Sequence, residues 1–594
     1  MELTKEHEAK FKKLGINSLL ELALMVPHSY ENYRISSSLQ IAKPQVIDAT
    51  IESVYRAPNS LQIIFYAHNL GHTIQGVIFR PKPYMIHAFS VGQRDYFYGV
   101  VDCKMGNCTI AMPKKITQVG QVTPKYKSNL RNDVMCRLVA DLLTKETLLQ
   151  EGLKEELIDQ ILLLHFPNDL PPKEVNEDAI KALKYLELYI YLAQLRTKRR
   201  YFQTLVSKES DYMPWSETLP FELTQEQQSA IKDIQNDFTK DVAARRMIVG
   251  DVGSGKTMVI LASAYMMKPY KSILMAPTTI LANQLFEEAQ KFLDLKCVLV
   301  TNKTKKVDLS EYDFIIGTHA LLYRELPKVA LVMVDEQHRF GTAQRNLLEK
   351  LVSCGEKKPH FLQFSATPIP RTQAMIESAH IDVSLITTTP YKKDIDSKVI
   401  HKNDFKDLLE HIKSEIEKNN QVLLVYPLVE QSETLEYQSI DEARSYWEKN
   451  FANVYVTHGK DKDKEQVLLD FREDGSILIA TTVVEVGISL PRLTTVVIVG
   501  AERLGLSTLH QLRGRVSRTG LKGYCYLYTN QNESKRLEEF VKTTNGFDIA
   551  NLDLKYRKSG DLLKGTNQSG SQFKYFDFAL DAEIVSEVKK DLLI

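Results

Sequence analysis

The spacing of apolar residues changes character three times along the chain. Residues 1 to 30 place Leu14, Ile16, Leu19, Leu20, Leu22 and Leu24 at helical intervals ahead of Pro27, which predicts a helical lead-in over residues 1–44. From about Gln45 to Lys115 the pattern shortens to alternating runs such as Leu61–Tyr66 and Tyr96–Val101, separated by Asn-Ser, Leu-Gly-His and Gly-Asn turns. Short alternating strands between tight turns predict a small β-barrel over residues 45–122. Helical spacing returns from 130 to 205, within a connector spanning 123–218, and ends in Arg196-Thr-Lys-Arg-Arg200, a charge run that reads as a solvated helix end.

From Leu219 onward, strands with a buried pattern alternate with amphipathic helices. Met247–Val249, Ser272–Met275, Phe314–Ile316, Val329–Val334 and Phe361–Phe364 form one series. After a linker around Tyr391 to Lys398, Gln421–Tyr426, Val454–Val456, Ser476–Ala480 and Thr495–Val499 form a second. This alternation predicts two tandem parallel-sheet α/β lobes, at 219–391 and 392–530. A chain of 594 residues is too long for one core and divides into several domains.

Charge narrows the picture locally rather than globally. With 76 Lys and Arg against 75 Asp and Glu, no whole-chain field attracts nucleic acid. Residues 51–150 are the exception, with twelve Lys and Arg against six Asp and Glu, interleaved with Phe65, Tyr66, Phe79, Tyr84, Phe89, Tyr96, Phe97 and Tyr98. Cations among aromatics suit phosphate contact and base stacking, and the same composition equally fits a strand-rich domain with an aromatic core. Of six cysteines only Cys103 and Cys108 lie close together, with no second pair or nearby His to complete a metal site, so they read as core thiols. The charged N-terminus and the absence of any apolar run of about 18 residues predict a soluble, cytoplasmic protein with no membrane partner.

The first chemical motif is Gly250-Asp251-Val252-Gly253-Ser254-Gly255-Lys256-Thr257, which follows a predicted strand and opens a helical run. Glycines there turn backbone N–H groups around phosphates at a helix N-terminus, Lys256 reaches the β- and γ-phosphates, and the Thr257 hydroxyl is placed to hold Mg²⁺. Downstream, the apolar run Val329–Val334 ends in Asp335 and Glu336. Such a strand presents both acids at its C-terminal edge, Asp335 for Mg²⁺ and Glu336 to deprotonate the attacking water. In the second lobe, Gln511-Leu-Arg-Gly-Arg-Val-Ser-Arg518 supplies arginines, Arg515 and Arg518, that can stabilise charge developing on the γ-phosphate.

Together these residues resemble helicase superfamily 2 and, within it, the RecG branched-DNA translocases, over nearly the whole chain. Phe221 and Gln227 look like that family's adenine-recognition motif, with Gln511 a further nucleotide contact. Ala276-Pro-Thr278-Thr-Ile-Leu-Ala282 and Gly317-Thr318-His319-Ala320 are similar to its strand-contact motifs. Asp335–Gly341 and the run from Ser365 through Thr367 to Thr372 resemble its hydrolysis and coupling motifs, and Thr481–Gly487 its second-lobe DNA contact. Thr544–Ala550, Asp553–Arg557 and Gln568–Gly570 resemble the translocation motif shared with the transcription-repair coupling factor. By that resemblance Arg536, Arg557 and Gln568 couple lobe movement to a helical hairpin within 531–594. Ile78–Tyr84 and Leu164–Pro167 resemble the RecG wedge and its connector, making Phe79 and Tyr84 the junction contacts. The chain departs from the family pattern at Thr279, Ser489, Ser517 and Arg557–Asp561.

The resemblance implies a multidomain α/β protein with an OB-like wedge, two RecA-like lobes and a C-terminal translocation hairpin. It further implies a monomeric helicase that uses ATP and Mg²⁺ on branched double-stranded DNA, both forks and Holliday junctions, to drive fork reversal and branch migration. Single-stranded-DNA-binding protein is a candidate protein partner. An RNA helicase and a junction-binding scaffold with a decayed ATPase are the alternatives.

Overall fold

A computed structural model describes residues 3–593, except 83–88, 105–106, 169–175, 354, 368, 392, 428–436, 460, 482–489, 518–519 and 565–572; at 342, 371 and 557–564 it describes the backbone alone. The chain divides into two compact units. One comprises Met1–Ala193 with Phe573–Asp577 and Lys590–Leu593, the other Gln194–Gln572 with Phe578–Lys589. No helix among the described residues is long and apolar enough to cross a membrane.

The first unit opens with helices Lys5–Leu14 and Leu19–Leu24, whose first turns are capped by the hydroxyls of Thr4 and Ser18. Strand β1 (Ser29–Asn32) pairs with β7 (Val122–Lys125), and between them β2 (Lys43–Ala57), β3 (Ser60–Ala67), β4 (His72–Phe79), β5 (Arg94–Lys104) and β6 (Asn107–Ile116) close a barrel in the order β2-β3-β4-β6-β5. Period-two alternation in β3 turns Leu61, Ile63, Phe65 and Ala67 inward. Phe65, Phe89 and Phe97 pack on one another there, with Phe65 and Phe97 centroids 4.6 Å apart. A Cβ at Gly76 would lie 2.4 Å from the Phe65 ring, so β4 carries glycine where that ring lies against its backbone. Three of the interleaved aromatics are therefore core residues.

Cys103 and Cys108 are not free thiols. They are register partners across the β5–β6 ladder and form a disulfide, a pairing that strand register sets and spacing alone does not reveal.

Helices Asn132–Leu142, Lys145–Gln150, Glu155–His165 and Glu177–Lys198 follow the barrel. His165 is the buried pin of this region, with Nε2 2.9 Å from the Ala23 carbonyl and Nδ1 2.9 Å from the Tyr126 hydroxyl. The chain end returns to the same unit: the buried Glu187 carboxylate accepts the backbone N–H groups of Lys574, Tyr575 and Phe576 at 2.5–2.9 Å.

The second unit holds two parallel sheets. In the first, β8 (Arg245–Gly250), β9 (Ser272–Met275), β10 (Cys297–Val300), β11 (Phe314–Gly317), β12 (Leu331–Val334), β13 (His360–Ser365) and β14 (Asp382–Ile386) run in the order β10-β11-β9-β12-β13-β8-β14. In the second, β15 (Ile395–Ile400), β16 (Gln421–Val425), β17 (Val454–Thr457), β18 (Ile477–Ala480), β19 (Leu493–Val499) and β20 (Gly523–Tyr528) run β15-β20-β19-β16-β18-β17. Strands β9, β11 and β12 are buried throughout, because side chains on both faces meet covering layers. Leu274, Ile316 and Met333 join the core on one face of the first sheet, while Ile273, Met275, Ile315, Val332 and Val334 join that on the other.

The linker expected from Tyr391 to Lys398 is shorter than its polarity suggested. Ile395–Ile400 is an edge strand paired to β20, half-exposed and therefore interrupted by Asp396, Ser397 and Lys398. Helices Lys535–Lys542 and Gly546–Lys564 follow the second sheet, and Glu539 on the first accepts from Lys555 at 3.0 Å and Tyr556 at 2.9 Å on the second.

Candidate functional site

Strand β8 brings Gly250 to the C-terminal edge of its sheet, where helix Lys256–Met267 begins after a short loop. That loop turns through φ of 84° at Gly253 and 75° at Gly255, values that glycine adopts without strain. Thr224 and Gln227 form a capping box at the start of helix Gln225–Phe238. The Gln227 amide then donates to the Ser254 carbonyl at 2.8 Å, so it braces the loop backbone. The Lys256 ammonium donates to the carbonyls of Gly250 and Asp251 at 2.9 and 3.0 Å.

Asp335 follows β12, which lies between β9 and β13, and its backbone N–H continues the ladder to the Met275 carbonyl. Burial, reinforced by the nearby Glu336 charge and opposed by Lys256, pushes the Asp335 carboxyl up to about 7. Glu336 has a φ of 50°, unusual for a residue with a side chain. Its carboxylate accepts from the Ala366 N–H at 3.2 Å and lies 3.6 Å from His338 Nδ1. Through that bond the acid is tied to the end of β13 and the turn after it, where Ser365 and Thr367 lie.

The second lobe closes this edge. The Gln511 amide donates to the Thr367 hydroxyl at 2.9 Å, and Lys393 donates to the carbonyls of Val252 at 3.3 Å and Gly514 at 3.1 Å. The result is a cleft of about 680 Å³ lined by Phe221, Gln227, Val252, Gly253, Gly255, Lys256, Thr257, Asp335, Glu336, Gln511 and Arg515. Phe221 is steadied by an edge contact with Phe292. Gly250, Asp251 and Ser254 lie outside the lining, and the Asp251 carboxylate is engaged elsewhere, by His510 and Gly546. Arg339 of the Asp335–Gly341 motif also lines the cleft, as do Tyr391 and Lys393, which fall in the stretch whose sequence predicts a linker. Arg518 lies outside the described residues.

Residues 224–376 match the DEAD/DEAH box helicase family and residues 403–520 the helicase conserved C-terminal domain. The chain is 44% identical over 612 residues to the ATP-dependent DNA helicase RecG of Helicobacter pylori, covering 99% of this chain and 98% of that protein. The chain belongs to the RecG family of ATP-dependent DNA helicases. The RecG of Aquifex aeolicus is 32% identical, with 97% of this chain and 80% of that protein covered. Among solved structures, RecG bound to a three-way DNA junction aligns at a TM-score of 0.58 and 26% identity, covering all of this chain and 84% of that one.

As a RecG-family helicase the chain uses ATP, and the remaining expected residues can be located relative to that cleft. Thr278 and Thr318 cap the helical turns after β9 and β11, their hydroxyls accepting from Leu281 N–H at 3.2 Å and Ala320 N–H at 3.4 Å. His319 is exposed, and Tyr323 at the end of the same turn is 82% exposed, an aromatic with no motif to mark it. Thr481 directly follows β18 and is half-buried. The Arg536 guanidinium donates to the carbonyls of Glu502 at 2.5 Å and Leu504 at 3.0 Å. Phe79 ends β4 and is 59% exposed beside the exposed Met112, whose sulfur accepts its N–H. Tyr84, Ser489, Gln568 and the Arg557 side chain lie outside what the structure describes.

Proposed function

We propose that this chain is an ATP-driven translocase that acts on branched double-stranded DNA, forks and Holliday junctions, to reverse forks and migrate branches. The observation that carries the proposal is the convergence of Lys256, Asp335 and Glu336 from one lobe and Gln511 and Arg515 from the other on a single cleft, in a chain of RecG ancestry. In this reading Lys256 and the loop N–H groups hold the phosphates, Glu336 takes the proton of the attacking water, and Arg515, with Arg518, neutralises charge on the transferred phosphoryl group. Phe221 and Gln227 contact or brace the nucleotide side of the cleft.

The Thr257 hydroxyl and the Asp335 carboxylate are hard oxygen donors, the set that Mg²⁺ prefers. A buried carboxyl pushed up by desolvation is also one that a divalent cation would return to its charged form. Mg²⁺ would supply neutralisation of phosphate charge there. On the DNA side, Thr278, Thr318, His319, Ser365, Thr367 and Thr481 contact a strand or transmit lobe movement. Phe79 and Tyr84 meet the junction, and Arg536, Arg557 and Gln568 couple the C-terminal helices to the duplex. The active form is a monomer, and single-stranded-DNA-binding protein is a candidate partner.

Steady-state ATP hydrolysis measured with forked DNA, a Holliday junction, linear duplex and RNA tests the substrate class. The branched DNAs should stimulate most. Strongest stimulation by RNA would overturn the proposal in favour of an RNA helicase.

A further inference from the structure

Asp251 sits in the phosphate loop, yet its buried carboxylate faces away from the cleft and joins three parts of the second unit. One oxygen accepts from Val252 N–H and from His510 Nε2, both at 2.6 Å; the other accepts from Gly546 N–H at 2.8 Å, where helix Gly546–Lys564 begins. His510 continues the chain of bonds, its Nδ1 lying 3.1 Å from Arg513 Nη2. Arg513 in turn donates to the carbonyls of Phe540 at 3.2 Å and Thr543 at 2.8 Å while its guanidinium lies 4.3 Å from the Phe540 ring centroid.

The chemistry of these partners fixes the state of the imidazole. Arginine has only donors, so Nδ1 must be the bare acceptor and Nε2 must carry the hydrogen given to Asp251. A second proton on the ring would set N–H against N–H. Burial, together with the neighbouring charges of Arg513 and Lys393, holds His510 below the usual histidine range despite the pull of Asp251. The neutral ring is thus a directional link with one end on each lobe.

In the translocase reading the same loop meets phosphate at Lys256, whose ammonium donates to the Gly250 and Asp251 carbonyls. A phosphate drawing that ammonium into the loop competes for both bonds and frees the Asp251 backbone to shift. Beside the relay, a cavity of about 230 Å³ lined by Asp251, His510, Arg513, Thr544 and Asn545 gives the 543–546 segment room to respond.

We propose that His510 and Arg513 are positioning residues that carry the state of the phosphate loop, through Asp251, to the Thr543–Gly546 segment that starts helix Gly546–Lys564. The inference rests on the reading of the chain as an ATP-driven translocase. It differs from a lobe-closure account in naming a buried, two-ended relay outside the reacting atoms.

The test uses the full chain and its variants His510→Gln, His510→Asn and Arg513→Gln, comparing junction-stimulated ATP turnover with strands separated per ATP hydrolysed. Glutamine at 510 keeps a donor toward Asp251, and asparagine keeps an acceptor toward Arg513; neither bridges both. The separation per ATP should fall by about tenfold in each, while ATP turnover changes by less than about threefold. Combining His510→Gln with Arg513→Gln should add little further loss, because both break one relay. Turnover and separation falling in equal proportion, in step with a lowered melting temperature, would mean that these residues only hold the fold, and unchanged separation per ATP would equally overturn the relay. Wild-type protein that hydrolyses ATP without separating the junction would instead reject the translocase reading, and the relay with it.

Discussion

Gly514 of the second lobe packs against Val252 of the phosphate loop, and adding a single methyl group there tests whether the spacing of the lobes controls hydrolysis. Its φ is −66°, so alanine meets no backbone strain and the effect is one of space alone. A Cβ would lie 2.8 Å from Val252 Cγ1, 3.1 Å from Val252 Cβ and 3.2 Å from the His510 carbonyl oxygen. Carbon atoms prefer separations of about 3.5–4.0 Å, so the loop and the second lobe must part by roughly 1 Å. A displacement of that size at a reacting centre costs up to about a hundredfold in rate. Gly514→Ala should therefore lower junction-stimulated kcat by about ten- to a hundredfold, which corresponds to about 1.4–2.7 kcal/mol of lost transition-state stabilisation. The double variant with Val252→Ala removes the nearest contacting carbon and should recover part of the rate. The assay is steady-state ATP hydrolysis at saturating junction DNA, with the melting temperature recorded alongside. A wild-type rate in Gly514→Ala, or a double variant no better than the single, would refute the claim that this contact sets the cleft.

Two further outcomes are expected. Phe79→Ala should weaken fork unwinding by about five- to a hundredfold, the range of one lost aromatic–base stack, and lower duplex-stimulated ATPase less; equal loss of both would mean the junction is met elsewhere. His165, pulled down to about 4 by burial, is neutral when folded and takes up a proton on unfolding below its ordinary 6.5. Its contribution is complete above about pH 6.5 and is lost as pH falls toward 4, about 2 kcal/mol between pH 7 and pH 5. Calorimetry of the full chain and of His165→Gln at the two pH values should show a pH dependence smaller by that amount in the variant, and identical dependence would contradict the assignment.

The parts of the fold legible in sequence were those whose burial is uniform. Strands β9, β11 and β12 are covered on both faces and read as unbroken apolar runs, so the parallel lobes and the strand ahead of Asp335 and Glu336 stood out. Strands at sheet edges were harder: β15, which among the described residues pairs with β20 alone, mixes Asp396, Ser397 and Lys398 into its run, a polarity that reads as linker. In the barrel, alternation located strands without showing which aromatics turn inward. Phe65 and Phe97 fill the interior while Phe79 is exposed, a difference set by strand register. The phosphate loop was recognised from its backbone requirements, and those say nothing about the direction of Asp251. That side chain points to His510 and Gly546, residues distant in sequence that only the tertiary fold brings together. Lys393 was unreadable for the same reason, as its role is to cap carbonyls from both lobes.

The central claim is that ATP is hydrolysed in the interlobe cleft with Glu336 as the base and that this hydrolysis drives work on branched DNA. Its most direct test is junction-stimulated ATP hydrolysis by Glu336→Gln, measured beside junction binding. The substitution keeps the side chain's size and its acceptor for the Ala366 N–H while removing the proton acceptor. Hydrolysis should fall to background with junction affinity retained. Robust junction-stimulated hydrolysis by that variant would contradict it.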